Sequence, residues 1–472
     1  MIQEVVNSMV SMNHIIYLII PFLIYASVLI FVVRYSGKKR HTGDKDYFLA
    51  GRSIGVFPSF LSVVATETSV ATIVAFPAIG YKYGLSFLWL PAGYIAGRYI
   101  VALYYLKKLY ESENISIYST ISNSDPFSAH VLSGFYLLAK FIANGVRLFM
   151  GAFAMNQLFG GGIITWILVS SVTAGIYSLS GGLRAVVIMD QLQGLIIYAT
   201  GIFFTVYLFY LIPALDLSVI AFHNFDFNYS NNANSLYMLL GGVVLSIGTH
   251  GSDQDMLQRV LGTKGFHEAR RSLIYSGFGA FVVIAVYLTA GYFLSLLNPE
   301  GLDVRSPLVS FVNLVNKPVI TSFLAILIFA ASSSTLDSSI HSTGAVWKSL
   351  FNSDLPGRFW SFVSLVVLSF FAVFSITMYK YSPDFLSFAM GSMNYVNGGL
   401  IGVITVFTFF TEKLTGAGIV LALLTGFMVT VFSNWLVEPA VSWTIVVVLS
   451  SVSSFGVCYI YGFLKGKNEI NN

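Results

Sequence analysis

The sequence predicts an all-α integral membrane protein of about thirteen spanning helices. Three observations carry that fold class: the scarcity of charge, a series of apolar segments long enough to cross a bilayer, and an uneven distribution of lysine and arginine between alternate loops. Of the 472 residues, 56% are apolar and only 10% charged, where a soluble domain carries about 25% charged residues. A hydrocarbon core about 30 Å thick needs roughly 20 apolar residues per helix. The chain therefore has room for a dozen or more spans and none for a large soluble domain. Its formal charge of +4 is no argument for nucleic acid, because the basic residues fall where membrane topology puts them. The single cysteine, Cys458, excludes an internal disulfide and a thiolate metal cluster. No HExxH or GxSxG pattern points to an intramembrane enzyme.

In chain order the apolar windows fall at roughly 13–33, 55–84, 86–106, 129–157, 161–178, 186–212, 236–257, 272–297, 318–346, 359–379, 385–411, 415–436 and 440–464. The first has no basic stretch before it and no small-residue cleavage site, so it reads as a retained span rather than a signal peptide. The loop Ser36 to Ser53 is charged and turn-rich, the segment 213–235 is polar and Asn-rich, and no short-period repeat is visible. With the N-terminus outside, the inner loops gather eighteen of the 25 lysines and arginines, Arg259 among them. The opposite loops hold only four, Lys82, Arg305, Lys317 and Lys380, while Arg98, Lys140 and Arg147 lie within spans. That split predicts an inner or plasma membrane protein with its N-terminus outside and its C-terminus in the cytoplasm.

Two spans are interrupted at mid-depth by polar residues, ATETSVAT at Ala65 to Thr72 and SIGTHGSDQ at Ser246 to Gln254. If the core begins at the second span, these are its first and sixth helices, the spacing of a five-plus-five inverted repeat. Interrupted spans in matching positions mark the binding site of such transporters, and the break frees carbonyls that can ligate a cation. A third span carries AASSSTLDSSIHS, Ala330 to Ser342, which sets hydroxyls and a carboxylate in hydrocarbon that cannot solvate them. Ser333, Ser334, Thr335, Asp337 and Ser338 need a polar partner, and sodium is matched by hydroxyl, carbonyl and carboxylate oxygens. The plainer alternative is that these side chains bond their own i−4 carbonyls or hold helices together. The density of hydroxyls around Asp337 outweighs it.

DYFLAGRSIG at Asp46 to Gly55, SGGLRAVVIMDQLQ at Ser180 to Gln193, SDQDMLQRVLGTKGFHEARR at Ser252 to Arg271 and AASSSTLDSSIHS occur in order on the expected spans. On these motifs the whole chain resembles the sodium/solute symporter family, which includes sodium-coupled transporters of sugars, proline, sialic acid and monocarboxylates. The resemblance implies a single transporter domain with a LeuT-type core. Residues 1–50 would form the leading helix and loop, 51–411 the ten-helix core, and 412–472 two trailing helices and a short tail. It implies a shared sodium site made by the carbonyls of Ala65, Thr68 and Ala331 and the hydroxyls of Ser334 and Thr335. A second cation site found in some members resembles Asp190 with Ser334, Asp337 and Ser338. Asp337 stands where the family often has a hydroxyl, so the chain adds a carboxylate that either strengthens cation binding or carries a proton.

Arg147 sits mid-span, where a guanidinium is expensive unless an anion meets it. Either Glu67 is that anion, or Arg147 receives a substrate carboxylate bidentately, as an Arg on the corresponding helix is thought to do in the family's sialic acid carriers. In the second case Glu67, Ser69, Thr72, Ser246 and Thr249 line the rest of the pocket. Met390 and Thr249 replace the family's sugar-contacting Gln and inner Tyr gate, which lowers a hexose reading. Asp190 has a structural ion pair as its alternative role, and Asp253 and Arg259 read as a gate or stabilising pair. His250 and His341 read as interhelical hydrogen-bonding groups rather than metal ligands. The expected function is a sodium-coupled symporter importing a small polar solute by alternating access, with a carboxylate-bearing solute such as sialic acid or another organic anion foremost. A sodium-coupled carrier of neutral sugars, polyols or amino acids is the alternative, and a channel or intramembrane enzyme a more distant one. No catalytic residue is expected, and no cofactor or transition metal beyond sodium as coupling ion. The expected partners are the solute, sodium and the lipid bilayer, with no nucleic acid and no obligatory protein.

Overall fold

A computed structural model describes residue 20 and residues 22–35, 43–112, 114–122, 125–212, 225–381 and 385–470, the backbone alone for 385–394 and 467–470. Helix α1 (Phe22–Tyr35) and the short α2 (Asp44–Leu49) lead into a pass made of two pieces, α3 (Val56–Glu67) and α4 (Val70–Tyr83). Helix α5 (Trp89–Ile100) continues through a π-helical stretch into α6 (Leu106–Glu111). After the short α7 (Ile117–Ile121) comes α8 (Pro126–Phe159). Proline at its first position and Asp125, whose side chain accepts from the Ser128 amide at 3.0 Å, fix its start.

Helix α9 (Ile163–Leu211) is a continuous run of 49 residues, about 70 Å at 1.5 Å per residue and thus more than twice the hydrocarbon thickness. Gly182, at φ 57° and ψ −156°, divides it into the two spans that the apolar windows separate. The broken pattern returns in α10 (Ser235–Gly251) and α11 (Gln254–Leu261). Then follow α12 (Phe266–Leu297), a short α13 (Pro307–Val315) that the windows did not predict, α14 (Pro318–Phe351), α15 (Gly357–Tyr381), α16 (Phe385–Phe409), α17 (Gly416–Trp435) and α18 (Trp443–Ile470). Among the described residues, taking each broken pair and each half of α9 as one pass gives thirteen passes. Among the described residues the only extended pairing is an isolated bridge between Ile54 and Thr263.

The helices sort into two groups by how closely they pack. Helix α5 lies against α10 and α4 against α12 with backbones in contact. A Cβ added at Gly93 would stand 2.3 Å from the Leu239 carbonyl oxygen, and one at Gly291 would stand 2.0 Å from that of Pro77. Small residues at such crossings are how helices gain contact in lipid, where no hydrophobic force drives them together. The second group centres on α14, enclosed by α8, α9 and α15 and also touching α3 and α4. It is buried without interruption from Leu324 to Val346, and this enclosure lets its polar stretch exist at membrane depth.

Candidate functional site

The two pieces of the first broken pass meet at Thr68 (φ −86°, ψ 84°) and Ser69 (φ −85°, ψ 172°), neither of them helical. The Ser69 amide bonds the Glu67 carbonyl at 3.1 Å instead of that of Ala65, and the α4 ladder resumes only with Ile73 on Ser69 at 3.2 Å. The carbonyls of Ala65 and Thr68 therefore fall outside the helical ladder. Thr66 Oγ1 and Ser338 Oγ, 3.0 Å apart, tie the end of α3 to α14. On α14, Thr335 donates to the Ala331 carbonyl at 3.0 Å and Ser334 donates to Asp190 Oδ1 at 2.6 Å. Both hydroxyls direct their protons elsewhere, so each offers only lone pairs to a ligand. Carbonyl and hydroxyl oxygens together suit sodium.

At 100° per residue, α14 turns three polar edges to three different neighbours. The edge with Thr335, Ser339 and Ser342 faces α8 and α11: Asn144 donates to Ser339, and Ser342 donates to Asp255. The edge with Ser334 and Ser338 faces α3, α9 and α11. There Asp190 Oδ2 accepts from Ser62 at 2.5 Å and from Arg259 Nε and Nη2 at 3.2 and 3.1 Å. Arg259 also donates to Ser62 at 2.8 Å, to the Asp255 carbonyl at 2.6 Å and to Ser338. Neither member of the pair is exposed, so the cation that meets Asp190 in this structure is a guanidinium. The third edge, Ser333 and Asp337, faces α1 and α9, where Tyr177 donates to Asp337 Oδ2 and Ser338 Oγ lies 3.1 Å from Oδ1.

Between the two breaks lies a cavity of about 380 Å³. Thr66, Glu67 and Thr335 form one wall, Lys140 and Arg147 of α8 another, and Leu245, Thr249, Asp253, Asp255 and Met256 a third. Tyr94, Asn397 and Trp443 complete it. Lys140 Nζ bridges Asp253 Oδ2 at 2.7 Å and Asp255 Oδ2 at 2.8 Å. Glu67 accepts from Arg98 Nη2. Arg98 Nε donates to His250 Nε2 at 3.2 Å, so that ring is neutral and its Nδ1 proton faces the Ser246 carbonyl at 3.2 Å. Arg147 Nη1 donates to Asn144 Oδ1 at 2.5 Å, and its Nε is buried without a partner. No carboxylate among the described residues pairs with it. His341 is held to the Tyr47 carbonyl at 3.0 Å. No group of three or more His, Cys, Asp or Glu among the described residues is arranged to hold a metal.

The model of the sodium:solute symporter family matches residues 47–426. The chain belongs to that family. By that membership and its apolar helices it is an integral membrane protein. It is 23% identical over 251 residues to the human sodium/iodide cotransporter, covering 51% of this chain and 39% of that protein. It is 24% identical over 424 residues to the high-affinity proline transporter PutP of Bacillus subtilis strain 168, covering 84% and 88%. The chain spans between 39% and 44% of the length of three such relatives, the human cotransporter included. A solved Na+-coupled sialic acid symporter, substrate-bound and outward-open, superposes with a TM-score of 0.82 at 17% identity, covering 95% of this chain and 98% of that one. That likeness shows a shared fold.

The chain brings some of its expected pocket residues together and not others. Glu67, Arg147 and Thr249 line the cavity. Ser69 and Thr72 are not among its walls, and Ser246 turns its hydroxyl to the Tyr94 carbonyl at 2.9 Å. Glu67 pairs with Arg98 and not with Arg147. Arg259, counted with the loops from sequence, is fully buried because α11 folds back against α3 and α14. Arg184, the basic residue nearest Asp190 in the chain, pairs with Asp46 at 3.1 Å. Sequence reasoning missed Lys140, visible only as a charge within a span, and Asn397, which carries no charge to betray it. The side chain of Met390 lies outside the described residues.

Proposed function

We propose that the protein is a sodium-coupled symporter importing a small solute that bears a carboxylate, a sialic acid or another organic anion, by alternating access. The observation that carries the solute class is Arg147, a guanidinium at the cavity wall without a carboxylate partner among the described residues. A solute carboxylate docking on its free edge meets that charge, whereas a neutral sugar or polyol leaves it unmet. Sodium binds between the first break and α14, with Ala65, Thr68, Ala331, Ser334 and Thr335 as ligands. Those oxygens come from both helix groups, so the ion favours the state in which the groups approach, and a coupling ion acts only through such differential affinity.

The eighteen-to-four distribution of basic residues supports an N-terminus outside and a C-terminus in the cytoplasm. In that orientation the Lys140, Asp253 and Asp255 cluster holds α11 against α8 on the cytoplasmic side of Arg147, and its release opens the inward path. A membrane potential of 100 mV contributes about 2.3 kcal/mol per charge carried inward. The whole chain acts as one unit, residues 1–50 leading, 51–411 forming the core and 412–472 trailing.

A thermal-shift screen of purified protein against sugars, sialic acids, amino acids and short carboxylates, with and without sodium, tests the proposal. The expected hits are carboxylates that stabilise more strongly in sodium. Arg147→Gln is expected to lose the solute shift and keep the sodium shift. A neutral sugar as the sole hit, unaffected by Arg147→Gln, overturns the solute class.

A further inference from the structure

Away from the solute cavity, a groove of about 590 Å³ runs between α3, α9 and α12. Val56, Phe57 and Phe60 of α3 form one bank, and Tyr275, Phe278 and Val282 of α12 form the other. Its floor is Gly279, where an added Cβ would stand 2.7 Å from Phe60 Cε2 and 2.8 Å from the Tyr198 hydroxyl. The missing side chain keeps the floor low. Phe57, Tyr275, Phe278 and Val282 are exposed. Apolar exposure alone argues little at membrane depth, because lipid tails solvate it.

What sets this groove apart is the charge at one end. Arg271, Tyr275, Phe278 and Val282, spaced four, three and four apart, lie on one face of α12. His267 stands a turn before Arg271 on that face. The Lys264 amide bonds the Ile54 carbonyl at 3.1 Å, just ahead of Val56 where the α3 bank begins. The side chains of Lys264, His267 and Arg271 are exposed and are neither hydrogen-bonded nor ion-paired to any described residue. From Lys264 to Arg271 three cations face one carboxylate, Glu268, a net charge of +2 with His267 neutral. The rise from Arg271 to Val282 is about 16 Å, close to the roughly 15 Å of hydrocarbon in one leaflet. Unpaired positive charge at the membrane surface thus continues into an apolar trough that reaches towards the midplane.

We infer that this groove holds one anionic phospholipid of the cytoplasmic leaflet, its phosphate on Lys264 and Arg271 and an acyl chain between α3 and α12. A guanidinium and an ammonium both bind phosphate oxygens, the first bidentately, and anionic lipids gather at such cytoplasmic clusters. The lipid lies where the first broken pass can flex. Helix α4 packs on α12 backbone to backbone at Gly291, so any displacement of α3 from α12 is absorbed at Thr68 and Ser69. An acyl chain lodged between α3 and α12 therefore acts on the break itself. Only the leaflet rests on the orientation proposed above; the reverse orientation moves the lipid to the other leaflet and changes no outcome of the test.

A phosphatidylglycerol with a photoreactive diazirine on one acyl chain, added to the purified full chain in phosphatidylcholine nanodiscs, tests the site by mapping of the labelled peptides. Labelling is expected within 56–60 and 275–282. Unlabelled phosphatidylglycerol is expected to compete about thirtyfold better than phosphatidylcholine, roughly fivefold for each of two cations. Lys264→Gln/Arg271→Gln, verified as folded by its melting curve, is expected to abolish that preference. Val282→Trp, which fills the groove and leaves the cations in place, is expected to remove the labelling from both stretches. Equal competition by the two lipids in the wild type means ordinary solvation by the bilayer and overturns the proposal. A preference that survives in the folded double variant, or labelling confined to other helices, overturns it as well.

Discussion

The two interrupted passes use one backbone device for opposite ends. At Thr68 and Ser69 the chain leaves the helix just after Glu67, whose carboxylate is already held by Arg98, and among the described residues no charged side chain donates to the freed carbonyls of Ala65 and Thr68. At Ser252 (φ −131°, ψ 3°) and Asp253 the second break carries its own carboxylates. Asp253 caps α11 by accepting from the Asp255 amide at 2.9 Å, and both aspartates close on Lys140. One break is left with oxygen to offer, and the other is filled by an ion-pair cluster that joins α11 to α8. The difference teaches that a repeated architecture fixes where helices are broken, while the side chains at each break decide whether it becomes a ligand site or a fastening.

Four variants break or sharpen that contrast, in falling order of effect. Ser334→Ala with Thr335→Ala strips the hydroxyls facing the first break and is expected to abolish sodium-driven uptake in proteoliposomes; normal uptake rejects the site. Lys140→Met leaves two buried carboxylates without their cation and is expected to destabilise the protein by about 3–5 kcal/mol, read as a fall in melting temperature. An unchanged melting temperature would mean that the second break is not held by charge. Arg147→Gln should weaken solute binding by roughly 10- to 100-fold, a charged hydrogen bond being worth about 1.5–3 kcal/mol, with sodium affinity unaltered in a titration. Asp125→Ala removes the cap of the helix carrying Lys140 and is expected to cost about 1 kcal/mol, leaving both breaks intact.

Asp125 also sets a pH dependence outside the membrane. The Ser128 hydroxyl and then its backbone amide hold the Asp125 carboxyl below its ordinary value. A depressed native value means that the contribution is present above the unfolded value of about 3.9 and is lost as the pH falls through the native one. Wild type and Asp125→Ala should therefore converge in melting temperature only in strong acid.

The passes were legible because apolar length and loop charge each report on the bilayer, which acts on every segment alike. The breaks were legible for the same reason, since polar residues at mid-depth have few explanations. Pairings between passes were not. Asp190 and Arg259 stand 69 residues apart, and no local pattern in one sequence links them. Whether Glu67 meets Arg98 or Arg147 depends on the rotation of α5 and α8 about their axes, which the apolar pattern leaves loose when most faces are apolar. The direction of Ser246 is hidden for the same reason: its hydroxyl faces α5.

The glycine crossings that join α5 to α10 and α4 to α12 have a mechanical consequence. With carbonyl oxygens pressed against bare Cα atoms there is no slack for sliding or rolling, so each of those two pairs travels as one block. Spectroscopic probes attached across either seam would hold a constant separation throughout the transport cycle, a built-in ruler against which displacement of α14 can be measured.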